Sequence, residues 1–571
     1  MKRIHFFLTL LVIISISVYG QHKLPYLVKQ GTATQLMVNN EPFLILGGEL
    51  GNSSASSAED IERIFPKLQR MELNTVLVPA YWDLIEPVEG QYDFSLIDKV
   101  VHQARSNNLK VVFLWFGAWK NSMSCYAPLW FKKDYKKYPR AYTKAGKPLE
   151  IASSFSDQVY QADNRAFAGL MKHIAAIDSQ EHTVIMVQIE NEIGMLEDAR
   201  DYSKEANALF NAPVPDKLIS YLNKNKKTLH PWMLKKWESQ GFRTKGNWQE
   251  IFGDDLYTDE IFMAWSYSCY VEKLAQTARS IHNVPLFVNA AMNSRGRKPG
   301  EYPSAGPLAH LIDVWHCGAP SIDMLAPDLY DKGFVDWVAQ YALHNNPLFI
   351  PEIRLSDNNG VQAFYIFGEH DAIGYCPFSI ENGSDSPHAP TVQAYSKLKE
   401  LMPLLTKYQG KGVMNGLHFD SDNKERILIQ DDLKMTCRHN FTLPWDPRAT
   451  NGSEWPEGGG IVLKLAKDEY LIAGSGIVIE FQKNGESELI AAKDLGEDGF
   501  VNVGGKVQKK ESSWKGTGRI GIGPVDEVKV NKDGTLSYIR RLNGDQTHQG
   551  RHVRISVGEF SVLHVRLYEY R

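Results

Sequence analysis

The chain has 571 residues and a net charge of -4 at neutral pH, so it lacks the basic field that nucleic-acid binding requires. That length buries a large core and leads us to expect more than one domain, although one barrel alone can exceed about 250 residues. Aromatic residues make up 11%, including 13 Trp and 25 Tyr, which fits either dense packing or ring-stacking ligand sites.

The N-terminus reads MKRIHFFLTLLVIISISVYGQ. Lys2 and Arg3 form a positive region, Phe6 to Val18 is apolar, and Val18-Tyr19-Gly20 precedes Gln21 as a small-residue cleavage site. This pattern predicts an export leader over residues 1–20 and a mature chain in the periplasm or outside the cell. An uncleaved anchor fits less well, because the apolar run falls short of the ~20 residues a membrane span needs. No Cys follows the cleavage site, which argues against lipid attachment there. Of the five cysteines, Cys125, Cys269, Cys317, Cys376 and Cys437, at least one must be free, and none forms a C-x-x-C pair. They read mostly as small buried hydrophobes.

From about residue 40 to 400, short apolar runs alternate with amphipathic helical patterns. FLILGGEL (43–50) reads as a first strand, and Ser57-x-x-Asp60 then caps a helix with Ile61, Ile64, Phe65 and Leu68 on one face. NTVLVPAYW (74–82) is a second strand, followed by a Ser95-x-x-Asp98 cap and a helix striped with Ile97, Val100, Val101 and Ala104. KVVFLWFGAW (110–119), TVIMVQIE (183–190), VPLFVNAAM (284–292), SIDMLAPDLY (321–330), NPLFIPEIR (346–354) and HDAIGYCPFSI (370–380) complete a set of eight. Strands apolar throughout and separated by helices imply a parallel sheet covered on both faces, and eight such units predict a closed (β/α)₈ barrel over residues 21–410. The rival is an open doubly wound sheet, but no strand is followed by a Gly-x-Gly-x-x-Gly turn. A long polar, irregularly helical insertion runs from Met195 to about Asp259, where the loop after strand four would border the barrel mouth. Beyond residue 410, stretches such as IVLKLAKDEYLIAGSGIVIEFQ, GFVNVGGKVQ and HVRISVGEFSVLHVRLYEY read as short strands broken by turn residues. They predict an antiparallel β-sandwich over residues 411–571.

Strand four runs directly into Glu190-Asn191-Glu192. Ionised carboxylates are costly to bury unpaired. At the carboxyl end of a barrel strand, however, they meet the mouth where barrel enzymes place their catalytic groups. A pairing with a nearby Lys or Arg is the competing structural explanation. PLFIPEIR, ending in Glu352, supplies a second strand-end carboxylate on strand seven. Two carboxyl groups facing one another across a mouth are what glycosidic bond cleavage requires, one protonated and one ionised.

These residues resemble the retaining (β/α)₈ glycosidases. More narrowly, VQIENEIG (187–194) resembles a signature of glycoside hydrolase family 35, the β-galactosidases, and YWDLIEPVEGQYDF (81–94) resembles that family's strand-two segment. The resemblance covers roughly residues 40 to 380. It implies Glu192 as acid/base, Glu352 as nucleophile and Asn191 as the ligand of the sugar 2-hydroxyl. The sugar-recognition residues depart from the family: its Ala-Glu pair after strand three is replaced by Gly117-Ala118, and its strand-one His-Tyr by Gly51-Asn52. Family 42 galactosidases share the wide spacing of the two Glu residues and are a second relative.

Around the mouth, Tyr330 is placed to hydrogen-bond the nucleophile or to serve as a rim aromatic. Trp82 and Trp115 close strands two and three as sugar platforms or as core, and Glu49 ends strand one within reach of a hydroxyl. Glu86 fits either substrate contact or loop geometry, and Glu190 a hydrogen bond within the barrel. His182 and Glu190 lack the His-Glu-x-x-His spacing, and there is no phosphate loop or nucleophile elbow, so neither metal nor cofactor is expected. The expectation is an exo-acting retaining β-glycosidase acting on β-galactosides of oligo- or polysaccharides, with a carbohydrate as its partner and no nucleic acid. The alternatives are a β-glucosidase, β-glucuronidase or glucosaminidase of the same clan, or a glycan-binding protein without turnover.

Overall fold

The computed structural model describes residues 23–293, 296–343, 345–443, 445–484 and 518–571. The leader expected over 1–20 and the strand expected within 499–508 lie outside the described residues. A three-stranded antiparallel sheet (Tyr26–Gln30, Ala33–Val38, Glu41–Phe43) opens the chain. Eight parallel strands follow: Ile45–Leu46, Thr75–Tyr81, Lys110–Phe116, Val184–Gln188, Leu286–Ala291, Met324–Leu329, Phe349–Ile353 and Gly374–Pro377. Each lies within one of the eight runs read from the sequence. Neighbours in the chain are neighbours in the sheet, and strand eight pairs with strand one. The seam to strand two is closed beyond strand one: Glu49 bridges both Leu77 and Phe378, and Leu77 N–H donates to the Gly48 carbonyl at 2.9 Å. The result is a closed barrel, and Glu49 is carried to its rim by the closure itself.

The helices that cover the barrel follow from their sequence patterns. Ser57 caps the helix Ala58–Arg70 by accepting from the Asp60 N–H, and Ile61, Ile64, Phe65 and Leu68 form its buried face. Phe94 rather than Ser95 precedes the helix Ser95–Ser106, so the expected cap is one residue late; the buried stripe of Ile97, Val100, Val101 and Ala104 is as expected. The insertion after strand four folds into four short helices (Lys204–Asn211, Asp216–Lys224, Pro231–Glu238, Trp248–Phe252) ahead of the long helix Leu256–Ile281.

The C-terminal part holds two antiparallel sheets. One has six strands, Met414–Phe419, Gly458–Ala466, Glu469–Ser475, Ser561–Tyr570, Arg519–Val530 and Leu536–Arg541 in spatial order. The other has four, Glu425–Gln430, Leu433–His439, Ile477–Lys483 and Val553–Ile555. Inward residues of both sheets, such as Leu417, Val462, Ile472 and Val565 against Met435, Cys437 and Ile479, form one apolar core. That is a sandwich. The outer face of the six-stranded sheet belongs to the barrel's core through Ile461, Leu463, Ala473 and Val562. It packs on the helix Asn359–His370, which directly follows the strand carrying Glu352. Gly368 permits that close approach, since a Cβ there would lie 2.8 Å from Ile461 and 3.1 Å from the Asn415 carbonyl.

Candidate active site

The triplet Glu190-Asn191-Glu192 is shaped by its backbone. Strand four ends at Gln188, and the chain then adopts positive φ at Glu190 (57°) and Glu192 (46°). Non-glycine residues in this region are uncommon and gather at functional sites. The segment after strand three holds the triplet in place. Asn191 N–H donates to the Trp119 carbonyl (3.3 Å), Asn121 N–H to the Asn191 carbonyl (3.1 Å) and Ser122 N–H to the Glu192 carbonyl (3.0 Å). Two kinks in three residues send the two carboxylates to different places.

Glu190 turns behind the strand. It is fully buried, its Oε2 accepts the Trp119 N–H at 2.8 Å, and it faces Asp163 of the helix Asp157–Asp178. Asp163 in turn accepts from the Trp115 indole (2.9 Å) and the Tyr270 hydroxyl (2.7 Å). Burial pushes both carboxyls up, and the mutual repulsion raises Glu190 further. Burial and mutual repulsion thus oppose a second charge on the pair.

Glu192 turns into the mouth. One oxygen each of Glu192, Asp328 and Glu352 lies within 4.8 Å of the other two. Asp328 and Glu352 are direct partners in the register of strands six and seven, so their side chains share the inner face. Asn289 of strand five ties the group together: its Nδ2 donates to Asp328 (2.7 Å) and its Oδ1 accepts the Glu192 N–H (2.9 Å). Asn121 donates to Glu192, and the Tyr330 hydroxyl donates to Glu352. Glu49 reaches Glu352 from the barrel seam. Asn191 is fully buried with neither amide atom hydrogen-bonded, and both Glu49 oxygens and Glu352 Oε2 have no donor among the described residues. Buried polar atoms are rarely left this way. Their concentration here marks a surface shaped for a polar ligand.

The electrostatics follow from burial. Glu192 is 4% and Glu352 5% exposed, and Glu49 is sealed. Burial, then repulsion from Glu192, pushes Glu352 up to about 7, while Lys120 and the Tyr330 hydroxyl pull it back. Glu192 is raised by burial against the pull of Lys120, and Glu49 and Asp328 are raised well above the usual carboxylate range by burial and by Glu352. Such a mouth offers one group poised to ionise near neutrality beside two, Glu49 and Asp328, whose neutral forms are favoured. The trio also has the spacing of a cation site.

Glu192, Glu352, Asn191, Tyr330 and Glu49 thus converge on one mouth. Trp82 and Trp115 do not. Both are fully buried; Trp82 packs on Phe131 (ring centroids 5.1 Å) and donates to Glu86, while Trp115 packs on Phe167 and donates to Asp163. They face the helical layer, and the platform reading is corrected to core packing. Glu86 accepts from Trp82 and from the Gly90 N–H, which is loop geometry. Lys120, Asn121, Asn289 and Asp328 went unnoticed in the sequence. Asn289 and Asp328 are single polar residues inside apolar strands, the pattern that marks a polar group buried with a partner.

Residues 52–256 match the glycoside hydrolase family 42 model, described as Beta-galactosidase. Both segments that resembled family 35 lie inside this span, so the similarity found is to family 42, the second relative, and not specifically to family 35. Residues 391–554 match a domain of unknown function, DUF5597. A beta-galactosidase of Xanthomonas manihotis is 24% identical over 199 residues, which is 33% of this chain and 30% of that protein. The match thus spans about a third of either protein. The fold is similar to the beta-galactosidase of the psychrophile Marinomonas ef1 (13% identity, 63% of this chain and 60% of that one, TM-score 0.40). It is similar also to a polyextremophilic beta-galactosidase of the Antarctic haloarchaeon Halorubrum lacusprofundi (16% identity, 62% and 58%, TM-score 0.42).

Proposed function

We propose that this protein is an exo-acting retaining β-galactosidase of the family 42 kind. The observation that carries the reading is the approach of Glu192 and Glu352 to within 4.8 Å in one buried mouth. Retaining glycosidases place their carboxyl groups about 5–5.5 Å apart, inverting ones roughly 6.5–9.5 Å. A closest approach of oxygens within 4.8 Å supports the narrower, retaining arrangement.

In the first step the Glu352 carboxylate attacks the anomeric carbon and the glycosidic bond breaks. Glu192 gives its proton to the departing oxygen. A glycosyl ester on Glu352 and an ionised Glu192 result. In the second step Glu192 takes a proton from water, the hydroxide oxygen bonds to the anomeric carbon, and the ester bond to Glu352 breaks. The sugar leaves with its original configuration and both carboxyls return to their first states. Tyr330 holds Glu352 by its hydroxyl, and the unsatisfied amide of Asn191 receives the 2-hydroxyl. Near-complete burial of the reacting groups favours a terminal sugar over an internal one. The match over residues 52–256 supports galactose as that sugar.

The test is hydrolysis of a panel of aryl β-glycosides, with the first-formed anomer read by NMR. The reading requires galactoside turnover with the β-anomer appearing first; an α-anomer, or no turnover of any glycoside, would sink it. The leader pattern supports export, which N-terminal sequencing of the protein recovered from the periplasm or medium would check.

A further inference from the structure

We propose that Lys120 is the counter-charge of the reaction, balancing the one negative charge of the site as it moves from Glu352 to Glu192. The inference rests on the glycosidase reading and names a residue that the sequence motifs do not include.

Four carboxyl groups share this mouth: Glu49, Glu192, Asp328 and Glu352, none more than 5% exposed. Lys120, 4% exposed, stands at the end of strand three, where its backbone bridges Asn191 and Met123. Its ammonium lies 5.0 Å from the Phe116 ring centre and acts on Glu49, Glu192 and Glu352 alike. Among the described residues no side chain accepts a hydrogen bond from it or pairs with it as an ion. Arg354 is turned elsewhere: it stacks on Tyr330 and donates to the Tyr330 carbonyl at 3.0 and 3.2 Å. Cys125 beside Lys120, Glu381 beside Glu49, and the Glu190–Asp163 pair behind strand four complete the titratable groups around it.

Buried charges are stable only when balanced. One ammonium supports one carboxylate, so three of the four carboxyls hold protons at rest. Among the described residues Glu49 has no donor to support its charge, whereas Glu192, Asp328 and Glu352 each receive one, from Asn121, Asn289 and Tyr330. On the glycosidase reading the charge starts on Glu352, the attacking group, which receives the Tyr330 hydroxyl. When the glycosyl ester forms, Glu352 becomes neutral and Glu192, having given up its proton, becomes the anion. The net charge of the mouth is unchanged, and an ammonium that acts on both groups stabilises both states without moving.

The pH profile of kcat/KM on an aryl β-galactoside tests this. Its acid limb reports ionisation of Glu352 in the free enzyme. Lys120→Met removes the charge and keeps the chain length, so the limb should move toward higher pH by at least about one pH unit. Lys120→Arg keeps the charge and should leave the limb near its wild-type position even if the rate falls. A folded Lys120→Met enzyme with an unmoved limb, or a Lys120→Arg enzyme displaced as far as the Met variant, would overturn the proposal. If the Met variant fails to fold, Lys120→Gln provides the neutral comparison. A wild-type protein that hydrolyses no glycoside would end both this proposal and the reading beneath it; an active one with an unmoved limb would end this one alone.

Discussion

Glu190 and Glu192 are two residues apart, both buried, and each faces another carboxyl group, yet they stand in opposite regions of the molecule. Behind strand four, the Glu190–Asp163 pair is surrounded by donors from Trp115, Trp119 and Tyr270. In the mouth, Glu192 and Glu352 sit among Glu49, Asp328 and Asn191, several of whose polar atoms find no partner among the described residues. Behind the strand only Glu190 Oε1, which faces Asp163, and the Trp119 indole are left without a partner among the described residues; in the mouth the unpaired atoms are more numerous and converge on one space. Burial alone therefore separates structure from chemistry poorly, whereas the supply of hydrogen-bond donors separates them well.

That contrast is broken most sharply in the mouth. On the glycosidase reading, Glu352→Gln should lower kcat by roughly 10³-fold or more while ground-state affinity for the sugar persists, because nucleophilic attack is lost and the shape of the site is not. Steady-state kinetics with a binding measurement checks both halves. Behind the strand the order reverses. Asp163→Ala strands the Trp115 and Tyr270 donors and should lower stability by about 2–4 kcal/mol in denaturant melts, with kcat of the folded fraction far less affected. Trp115→Phe removes one of those donors and part of a packed ring. We expect a loss of about 1–2 kcal/mol with KM unchanged, and a raised KM would restore Trp115 to the substrate's side.

The smallest effect has the opposite sign. Burial holds the Glu49 carboxyl well above its unfolded value, so its neutral form is the one the fold prefers. The stability it supports is full below the ordinary carboxylate pKa and is lost as pH rises toward the folded value. Glu49→Gln should therefore raise the melting midpoint by on the order of 1–2 °C at pH 8 and have little effect at pH 4, while activity falls. A midpoint that drops at pH 8 would mean that Glu49 is supported by a donor after all.

Much of this was open to view in the chain. All eight barrel strands lie inside the apolar runs, and the strand-end positions of Glu192 and Glu352 place both at the mouth. The tryptophans show where the pattern fails. Strand three is apolar on both faces, so alternation cannot say whether Trp115 looks into the barrel or out at Phe167. Lys120 follows Trp119 as an ordinary loop lysine; only the path of residues 119–123 alongside the triplet brings it to the mouth. The positive φ values at Glu190 and Glu192 leave no mark in composition, since neither is glycine.

By itself the order of residues determined the architecture, because repeated apolar runs separated by capped helices have few ways to bury both faces of each strand. It also determined that two glutamates would stand at strand ends of one barrel. Which carboxyl faces solvent-sized space, which faces a second carboxyl in the dry layer behind, and which lysine balances the charge were decided only when the barrel closed. Those are properties of distance, donor supply and desolvation between segments far apart in the chain, and no local stretch encodes them.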